Sequence, residues 1–247
     1  MGLFGLFGSK QKKEIMSDFY TDMHSHFIPG IDDGVKTVDE ALSLIREMSS
    51  IGYRRFITTP HIRGEVYENT PAIILNGLQH VQEAVAQAGL DVTLEAAAEY
   101  FVDDHFMQMV SEKEPLMTFG TQKHLLIEFS HYCAPLNYKT VIFDLQSQGY
   151  SVILAHPERY AYFHNNFDAY IDFYDRGVLL QLNLVSLTGF YDRYSQKMAE
   201  KLISLGMYSY AGSDAHNMFY IQALKKSLGL KSYTQLREKC TLMNDMI

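Results

Sequence analysis

The stretch VILAHPER, residues 152–159, places a histidine directly after four apolar residues. A short apolar run of this kind, rich in β-branched and aliphatic side chains, is typical of a buried strand. The same order recurs along the chain, where apolar runs are followed by His61, Glu99 or Glu128. Because barrel-like α/β folds build their active sites from residues at strand ends, this repetition predicts such a fold and such a site.

Two further motifs stand near the ends of the sequence. His24-Ser25-His26 follows the first predicted strand, and Asp214-Ala215-His216 follows the last. Residues two apart on an extended chain point to the same side, so each pair can contact one metal ion. Closing a barrel brings its first and last strands side by side, and we therefore expect both pairs at one mouth of the barrel.

The remaining strand-end residues add further candidate metal ligands: His61, Glu99, Glu128 and His156. Oxygen and imidazole donors without cysteine suit manganese, iron or zinc. The two glutamates follow or interrupt apolar runs, so a free solvated carboxylate is disfavoured, and either metal ligation or an ion pair would neutralise it. Histidines without this strand-end context are expected to be structural or surface residues: His80, His105, His124, His131 and His164.

Strand and helix patterns alternate over the rest of the chain. Strands are predicted over 20–23, 56–59, 92–97, 125–127, 152–155, 178–182 and 208–211. Thr37 is placed to cap a first helix that ends before Gly52, and Thr70-Pro71 opens a second that runs to Gly89. Further helices are predicted over 103–111, 139–148, 167–175 and 192–205, with two more at the end. About seven βα steps favour parallel strands closed into an irregular barrel over an open sheet.

Composition limits the possible functions. The chain has 247 residues, of which 47% are hydrophobic, and this is enough for one large domain, predicted over residues 20–247. Twenty-one basic and 29 acidic residues give a net charge of −8, which argues against nucleic acid as the main partner. No apolar run reaches the length of a membrane span. Cys133 and Cys240 form no CxxC pair and are expected to be free thiols in the cytoplasm.

The first nineteen residues differ from the rest of the sequence. Leucine and phenylalanine alternate with glycine over residues 1–8, and lysines follow at positions 10, 12 and 13. This order is not that of a secretory signal, which places the charge first and has a longer apolar region. A flexible leader is predicted over 1–19, with contact to a membrane surface or a partner protein as the alternative.

In combination, these motifs resemble the polymerase-and-histidinol-phosphatase (PHP) superfamily. Within it, four segments are similar to those of the bacterial capsule-type, metal-dependent protein-tyrosine phosphatases: His24-Ser25-His26, Ile31-Asp32-Asp33-Gly34, Glu128-Phe129-Ser130 and the segment from His156 to Tyr160. The likeness extends from Tyr20 to the carboxyl terminus. It implies a distorted (β/α)7 TIM-like barrel of the PHP type, with two or three divalent metal ions, commonly manganese.

Carried over position by position, the resemblance implies three metal sites. The first would contain His24, His26, Glu99 and Asp214. Glu99 would bridge to a second site that Glu128 and His156 complete, and the third would contain Asp33, His61 and His216.

The resemblance also implies that Arg159 binds phosphate. Family members often carry a second arginine shortly after the Asp-x-His motif, but residues 217–224 contain none. Arg63, just past His61, is a possible substitute.

By resemblance, the expected activity is hydrolysis of phosphotyrosine on a membrane-associated tyrosine kinase that controls capsule or exopolysaccharide synthesis. Histidinol phosphate or another small phosphomonoester is an alternative substrate. A 3′–5′ nuclease and a regulatory module that holds metal with weak activity are further alternatives. A cysteine-based phosphatase is disfavoured because neither Cys133 nor Cys240 is followed by a phosphate-binding loop that ends in arginine.

Overall fold

The computed structural model describes residues 16–247, so most of the expected leader lies outside the described residues. Within the described part, packing includes the residues just before the first strand. Phe19 is buried with its ring edge-on to Tyr233, and the backbone N–H of Asp18 donates to the Tyr233 hydroxyl. No helix between residues 16 and 247 combines the length and the apolar character needed to cross a bilayer.

The strands are short and all of their pairings are parallel. In chain order they are β1 (Thr21–Asp22), β2 (Arg55–Thr58), β3 (His61–Ile62), β4 (Thr93–Ala96), β5 (Glu99–Phe101), β6 (His124–Glu128), β7 (Ser151–Ala155), β8 (Leu179–Asn183) and β9 (Tyr208–Gly212). They form a three-stranded sheet in the order β1-β2-β4 and a six-stranded sheet in the order β3-β5-β6-β7-β8-β9.

One isolated bridge connects the two ends of this arrangement. Ser25 and Ala215 pair in parallel, the N–H of His26 donates to the Ala215 carbonyl, and the N–H of Asp214 donates to the His24 carbonyl. The segments after the first and last strands therefore lie side by side. This is the neighbour relation expected for a (β/α)7 TIM-like barrel, and it brings the two end motifs together.

Helices follow the strands, as in other parallel α/β folds. They are α1 (Val38–Ser50), α2 (Pro71–Gln87), α3 (Asp104–Glu112), α4 (Tyr138–Ser147), α5 (Asp168–Asp175), α6 (Arg193–Ser204), α7 (Met218–Ser227) and α8 (Lys231–Lys239). The predicted caps are present, because the Thr37 side chain accepts from the Glu40 N–H and the Thr70 side chain accepts from the Ile73 N–H. Such caps satisfy N–H groups that have no partner inside the helix.

Two predicted strands are each followed by a short strand that the sequence did not predict. The strand expected over 92–97 ends at Ala96, and Glu99 begins β5, which belongs to the other sheet. Likewise β2 ends at Thr58 and His61 begins β3. Glu99 and His61 are therefore register partners on adjacent strands rather than loop residues. This register fixes both side chains from the backbone of paired strands.

Candidate metal centre

The nine candidate ligands converge at the carboxyl ends of the strands. They come from the segments after β1 and β9, from the loop before α1, and from β3, β5, β6 and the end of β7. Most of them are buried, but Asp33 has about half of its side chain exposed. The strand-end arrangement inferred from the sequence is therefore present as a single cluster.

The first group surrounds the two end motifs. His24 Nε2 lies 3.2 Å from Glu99 Oε2 and 3.4 Å from Asp214 Oδ1. His26 Nε2 lies 3.5 Å and 3.3 Å from the same two oxygen atoms. Two imidazole nitrogens and two carboxylate oxygens therefore face one point.

The second group shares Glu99 with the first. His156 Nε2 lies 3.1 Å from Glu99 Oε1 and 3.8 Å from Glu128 Oε2. His61 Nδ1 also approaches this group, at 3.1 Å from Glu99 Oε2 and 3.0 Å from Glu128 Oε1. Glu99 thus presents one oxygen to each group, which is the arrangement that a bridging carboxylate requires.

The third group lies at the exposed side of the cluster. Asp33 Oδ1 is 3.4 Å from His61 Nε2 and 3.5 Å from His216 Nε2. Ligand atoms of His26, Asp33, His61 and His216 all lie within 4.8 Å of one another. The ring of His216 stacks on that of His26 at 4.0 Å, so the third group is continuous with the first.

Within residues 16–247, several buried nitrogen and oxygen atoms of the candidate ligands have no hydrogen-bond partner. His24 Nε2, His26 Nε2, His61 Nδ1 and Glu99 Oε2 are buried without hydrogen-bond partners among the described residues. Buried polar atoms are rarely left unsatisfied, and an ion is a common explanation. Two ligands about 2.1 Å from one ion lie about 3.0–3.4 Å apart in octahedral or tetrahedral coordination. The observed spacings fit divalent ions held by nitrogen and oxygen donors.

A second layer of residues orients the imidazole rings. Gln181 Oε1 lies 3.0 Å from His24 Nδ1, and Asp32 Oδ2 lies 2.8 Å from His26 Nδ1. The carbonyl of Asp214 lies 2.8 Å from His216 Nδ1. An acceptor at Nδ1 places the proton there and leaves the Nε2 lone pair for a metal ion.

The backbone is strained at two of the candidate ligands. His156 has φ of 33° and Asp214 has φ of 51°, in the left-handed region that residues with a side chain seldom adopt. Asp214 is held there in part by its neighbour Ser213, whose N–H and hydroxyl both donate to the buried carboxylate of Asp22. Such strain concentrates at functional sites, where the surrounding structure enforces it.

The neighbouring histidines keep the carboxylates of the cluster ionised. Burial raises the pKa of Glu99, but His24 and His61 outweigh burial and hold this pKa well below its usual range. The same competition holds the pKa of Asp214 well below its usual range, with burial opposed most strongly by His216 and His24. Both carboxylates are therefore ionised at neutral pH.

A cavity of about 260 Å³ opens over the third group and the Glu128–His156 side of the cluster. Arg159 forms one wall, with its guanidinium 3.9 Å from the centre of the Tyr191 ring and its Nη1 donating to Asp214 Oδ2 at 3.3 Å. The adjacent Glu158 does not pair with Arg159, because Glu158 is buried and accepts hydrogen bonds from the Ser186 hydroxyl and the Asn183 N–H.

Arg63 also lines the cavity, and its guanidinium lies 4.3 Å from the centre of the Phe101 ring. Tyr67 stacks on His61 at 5.6 Å between ring centres. Tyr220 lies in the segment 217–224, which contains no arginine, and its ring stacks on that of His216 at 5.0 Å between centres. The lysines that follow do not line this cavity, and the first of them, Lys225, pairs with Glu47.

Several residues at the cavity carry no signal in the sequence. His131, expected to be structural or on the surface, lines the cavity with its ring 5.6 Å from that of His156. Its position on the loop after β6, rather than at a strand end, explains why the strand-end pattern misses it. The other four histidines set aside from the sequence do not line the cavity. The same is true of Cys133, an exposed free thiol, and of Cys240, a buried one.

Comparison with known proteins agrees with this geometry. Residues 20–224 match the family described as Capsular polysaccharide synthesis, CpsB/CapC. The chain belongs to this family. It is 29% identical over 239 residues to the putative tyrosine-protein phosphatase CapC of Staphylococcus aureus, covering 92% of each protein. It is 25% identical over 230 residues to the tyrosine-protein phosphatase YwqE of Bacillus subtilis, covering 90% of each.

Solved structures extend the comparison to the fold. A crystal structure from a study of YwqE of Bacillus subtilis and CpsB of Streptococcus pneumoniae, described there as unique metal-dependent tyrosine phosphatases, superposes with a TM-score of 0.76 at 25% identity. It covers 88% of this chain and 91% of the matched chain. Histidinol phosphate phosphatase of Lactococcus lactis, complexed with zinc, matches with a TM-score of 0.51 at 13% identity, a likeness that concerns the fold alone. The family and fold expected from the sequence are confirmed.

Proposed function

We propose that this protein is a metal-dependent protein-tyrosine phosphatase. The observation that carries the proposal is the joint presence of a three-part imidazole and carboxylate cluster and a guanidinium, Arg159, at one cavity. Relatives that cover nine-tenths of the chain are named tyrosine-protein phosphatases, which supports this substrate class over the alternatives.

We assign the metal sites as the sequence motifs suggest. His24, His26, Glu99 and Asp214 would hold one ion, Glu99 with Glu128 and His156 a second, and Asp33 with His61 and His216 a third. Manganese is the proposed metal, with iron or zinc as alternatives, since these ions accept nitrogen and oxygen ligands together. When bound, such ions would act as Lewis acids toward phosphoryl oxygen atoms and lower the pKa of water at the centre.

The chain's own residues would bind and orient the phosphate. Arg159 presents a planar fork that matches two phosphoryl oxygen atoms, and stacking on Tyr191 restricts its motion. Arg63 lines the same cavity and is our candidate for the second phosphate contact. Tyr67 and Phe101 provide aromatic walls against which a tyrosyl ring can pack.

The leaving group makes modest demands on the protein. A tyrosyl oxygen has a pKa near 10, so it departs with little help from a general acid. No cysteine lines the cavity within residues 16–247, and we therefore propose direct transfer of phosphate to water rather than a thiol intermediate.

The proposed protein substrate is an autophosphorylated, membrane-associated tyrosine kinase that regulates capsule or exopolysaccharide synthesis. The family description, which names capsular polysaccharide synthesis, supports this pathway. We assign the protein to the cytoplasm, because both thiols are free and such thiols persist in a reducing compartment.

Three substrates test the proposal directly. Rates with manganese should be clearly highest on a phosphotyrosine peptide, lower on histidinol phosphate, and lowest on a short oligonucleotide. Faster hydrolysis of histidinol phosphate would instead indicate a phosphatase of small phosphomonoesters. Similarly poor rates on all three substrates would favour a metal-binding regulatory module.

A further inference from the structure

A second concavity adjoins the catalytic cavity on the far side of His216. This α1/α7 groove has a volume of about 400 Å³ and lies between the start of α1 and the start of α7. Its apolar lining comes from Val35, Leu44, Met218 and Phe219. His216 lines both concavities, so the groove adjoins the cavity of the candidate metal centre at this residue.

The groove has a buried floor and an exposed apolar edge. Val35 and Leu44 are almost fully buried, whereas 72% of Phe219 and 37% of Met218 remain exposed. Single exposed apolar side chains are common on protein surfaces, and one of them alone would need no functional explanation. Here the exposed pair borders a concave surface next to a catalytic cavity, which is where contiguous apolar surface marks binding.

A protein substrate gives this position a definite occupant. A phosphotyrosine in the cavity carries polypeptide on both sides, and an extended residue spans about 3.3–3.6 Å. Residues within three positions of the phosphotyrosine therefore lie within about 10 Å of it. This distance lets one flank pass over His216 into the groove.

Charge further specifies that flank. Asp39 and Glu40 line the groove in the first turn of α1, and both are exposed. Acidic residues are common in a first helical turn because they complement the helix dipole. That preference does not account for the exposed aromatic ring across the groove. Carboxylates beside apolar surface together match a segment that carries both an apolar and a basic residue.

We propose that the α1/α7 groove binds the substrate polypeptide beside its phosphotyrosine, with an apolar side chain against Phe219 and a basic side chain near Asp39. This inference rests on the proposed phosphatase function and adds a specificity site to it. None of the groove's apolar or acidic residues is assigned to the metal centre, so the groove can affect protein substrates without affecting phosphate chemistry.

The test compares substrates that do and do not reach the groove. p-Nitrophenyl phosphate has no flanking chain. Two phosphotyrosine peptides of equal length would carry leucine and lysine on both flanks, or serine and glutamate instead. Phe219→Ala should raise KM for the leucine–lysine peptide about tenfold while its rate on p-nitrophenyl phosphate stays unchanged. Asp39→Asn should reduce the preference for the leucine–lysine peptide over the serine–glutamate peptide. Added salt should reduce the same preference in the wild type, because it screens the attraction between lysine and Asp39. Phe143→Ala, which removes an exposed ring from α4, is the matched control and should change neither rate.

The outcomes separate the two proposals. A wild-type enzyme that cleaves p-nitrophenyl phosphate but neither peptide would contradict the protein-tyrosine substrate class, not only the groove. Cleavage of both peptides at equal rates, unchanged by Phe219→Ala, would overturn the groove alone. Equal losses on peptide and p-nitrophenyl phosphate would also overturn it, as would a change of oligomeric state in Phe219→Ala without any change in peptide preference. Met218→Ala provides a second variant in case Phe219→Ala does not fold.

Discussion

Two contacts and a partly exposed position bear on the proposed interaction of Arg159 with phosphate. Its guanidinium stacks on Tyr191, donates to Asp214 and faces the cavity, with 18% of its side chain exposed. The Tyr191 hydroxyl also donates to Asp214, and Asn183 donates to the same oxygen atom. Tyr191 therefore contacts both Arg159 and the candidate metal ligand Asp214. Replacing Arg159 removes a contact from each of these two residues.

Arg159→Ala should lower kcat by roughly 10² to 10³, the usual effect of removing a donor that stabilises charge in the transition state. Arg159→Lys should restore only part of this loss, because an ammonium keeps the charge without the planar fork. Steady-state kinetics should be paired with metal analysis and thermal unfolding of the same samples. A near-native kcat in Arg159→Ala would reject the assignment and direct attention to Arg63.

Among the candidate ligands, Glu99 is the carboxylate that approaches the most histidines. Its carboxylate oxygen atoms lie within 3.5 Å of a nitrogen on each of four histidines: His24, His26, His61 and His156. Glu99→Ala should therefore remove more bound metal and more activity than His61→Ala, which removes one ligand of the outer group. Elemental analysis and kcat at saturating manganese measure both effects. Equal metal content in the two variants would contradict the bridging assignment.

Among the larger elements, the turn before α1 depends on a close approach at Gly34. A β-carbon built there would lie 2.4 Å from the His26 carbonyl oxygen and 2.5 Å from the His26 β-carbon. The Gly34 N–H donates to Asp32, whose other carboxylate oxygen contacts His26 Nδ1. The Asp-Asp-Gly motif thus requires glycine because the turn packs directly on the backbone of a candidate ligand.

Gly34→Ala should displace this turn and with it Asp33, lowering metal content and activity and costing about 1–3 kcal/mol of stability. Metal analysis and chemical unfolding of Gly34→Ala beside the wild type provide the test, and a metal-replete, fully active variant would refute this account.

Local sequence signals predicted the helices well but missed the short strands β3 and β5. Thr37 and Thr70 are caps whose chemistry acts within one turn, so α1 and α2 begin where the sequence predicts. The short strands form by pairing with each other and with β6, which are distant in sequence, and no local pattern encodes such pairing. Strand β8 shows the same limit. It was predicted as a strand without a ligand, yet Gln181 from it orients His24.

The candidate site divides along similar lines. Histidines and carboxylates after apolar runs are chemically distinctive, and the eight ligands assigned from that pattern lie in one cluster. Asp33, the ninth, was implied only by the family resemblance, and it lies beside His61 and His216 in the same cluster. Tyr67 and Tyr220, which line the cavity, and Tyr191, which stacks on Arg159, were not anticipated, because tyrosine is equally common in cores and its direction depends on the loop path. His131 was missed for the same reason.

For the molecule as a whole, the cluster concentrates imidazoles and carboxylates whose buried donor atoms lack protein partners. An ion that binds only the folded state stabilises it by about 2.7 kcal/mol at a free concentration of 100 Kd. For a domain of this size each kcal/mol raises Tm by about 2–4 °C.

Manganese in that excess should therefore raise Tm by roughly 5–11 °C, and a chelator should reverse the shift together with activity. Differential scanning calorimetry over a manganese titration measures this, with magnesium as a comparison because it takes few imidazole ligands. Glu99→Ala, with the proposed bridge removed, should show a smaller shift than wild type. His80→Ala, an exposed histidine outside the cluster, should show the full shift. An unchanged Tm at all manganese concentrations, in protein that remains active after chelation, would contradict the metal centre altogether.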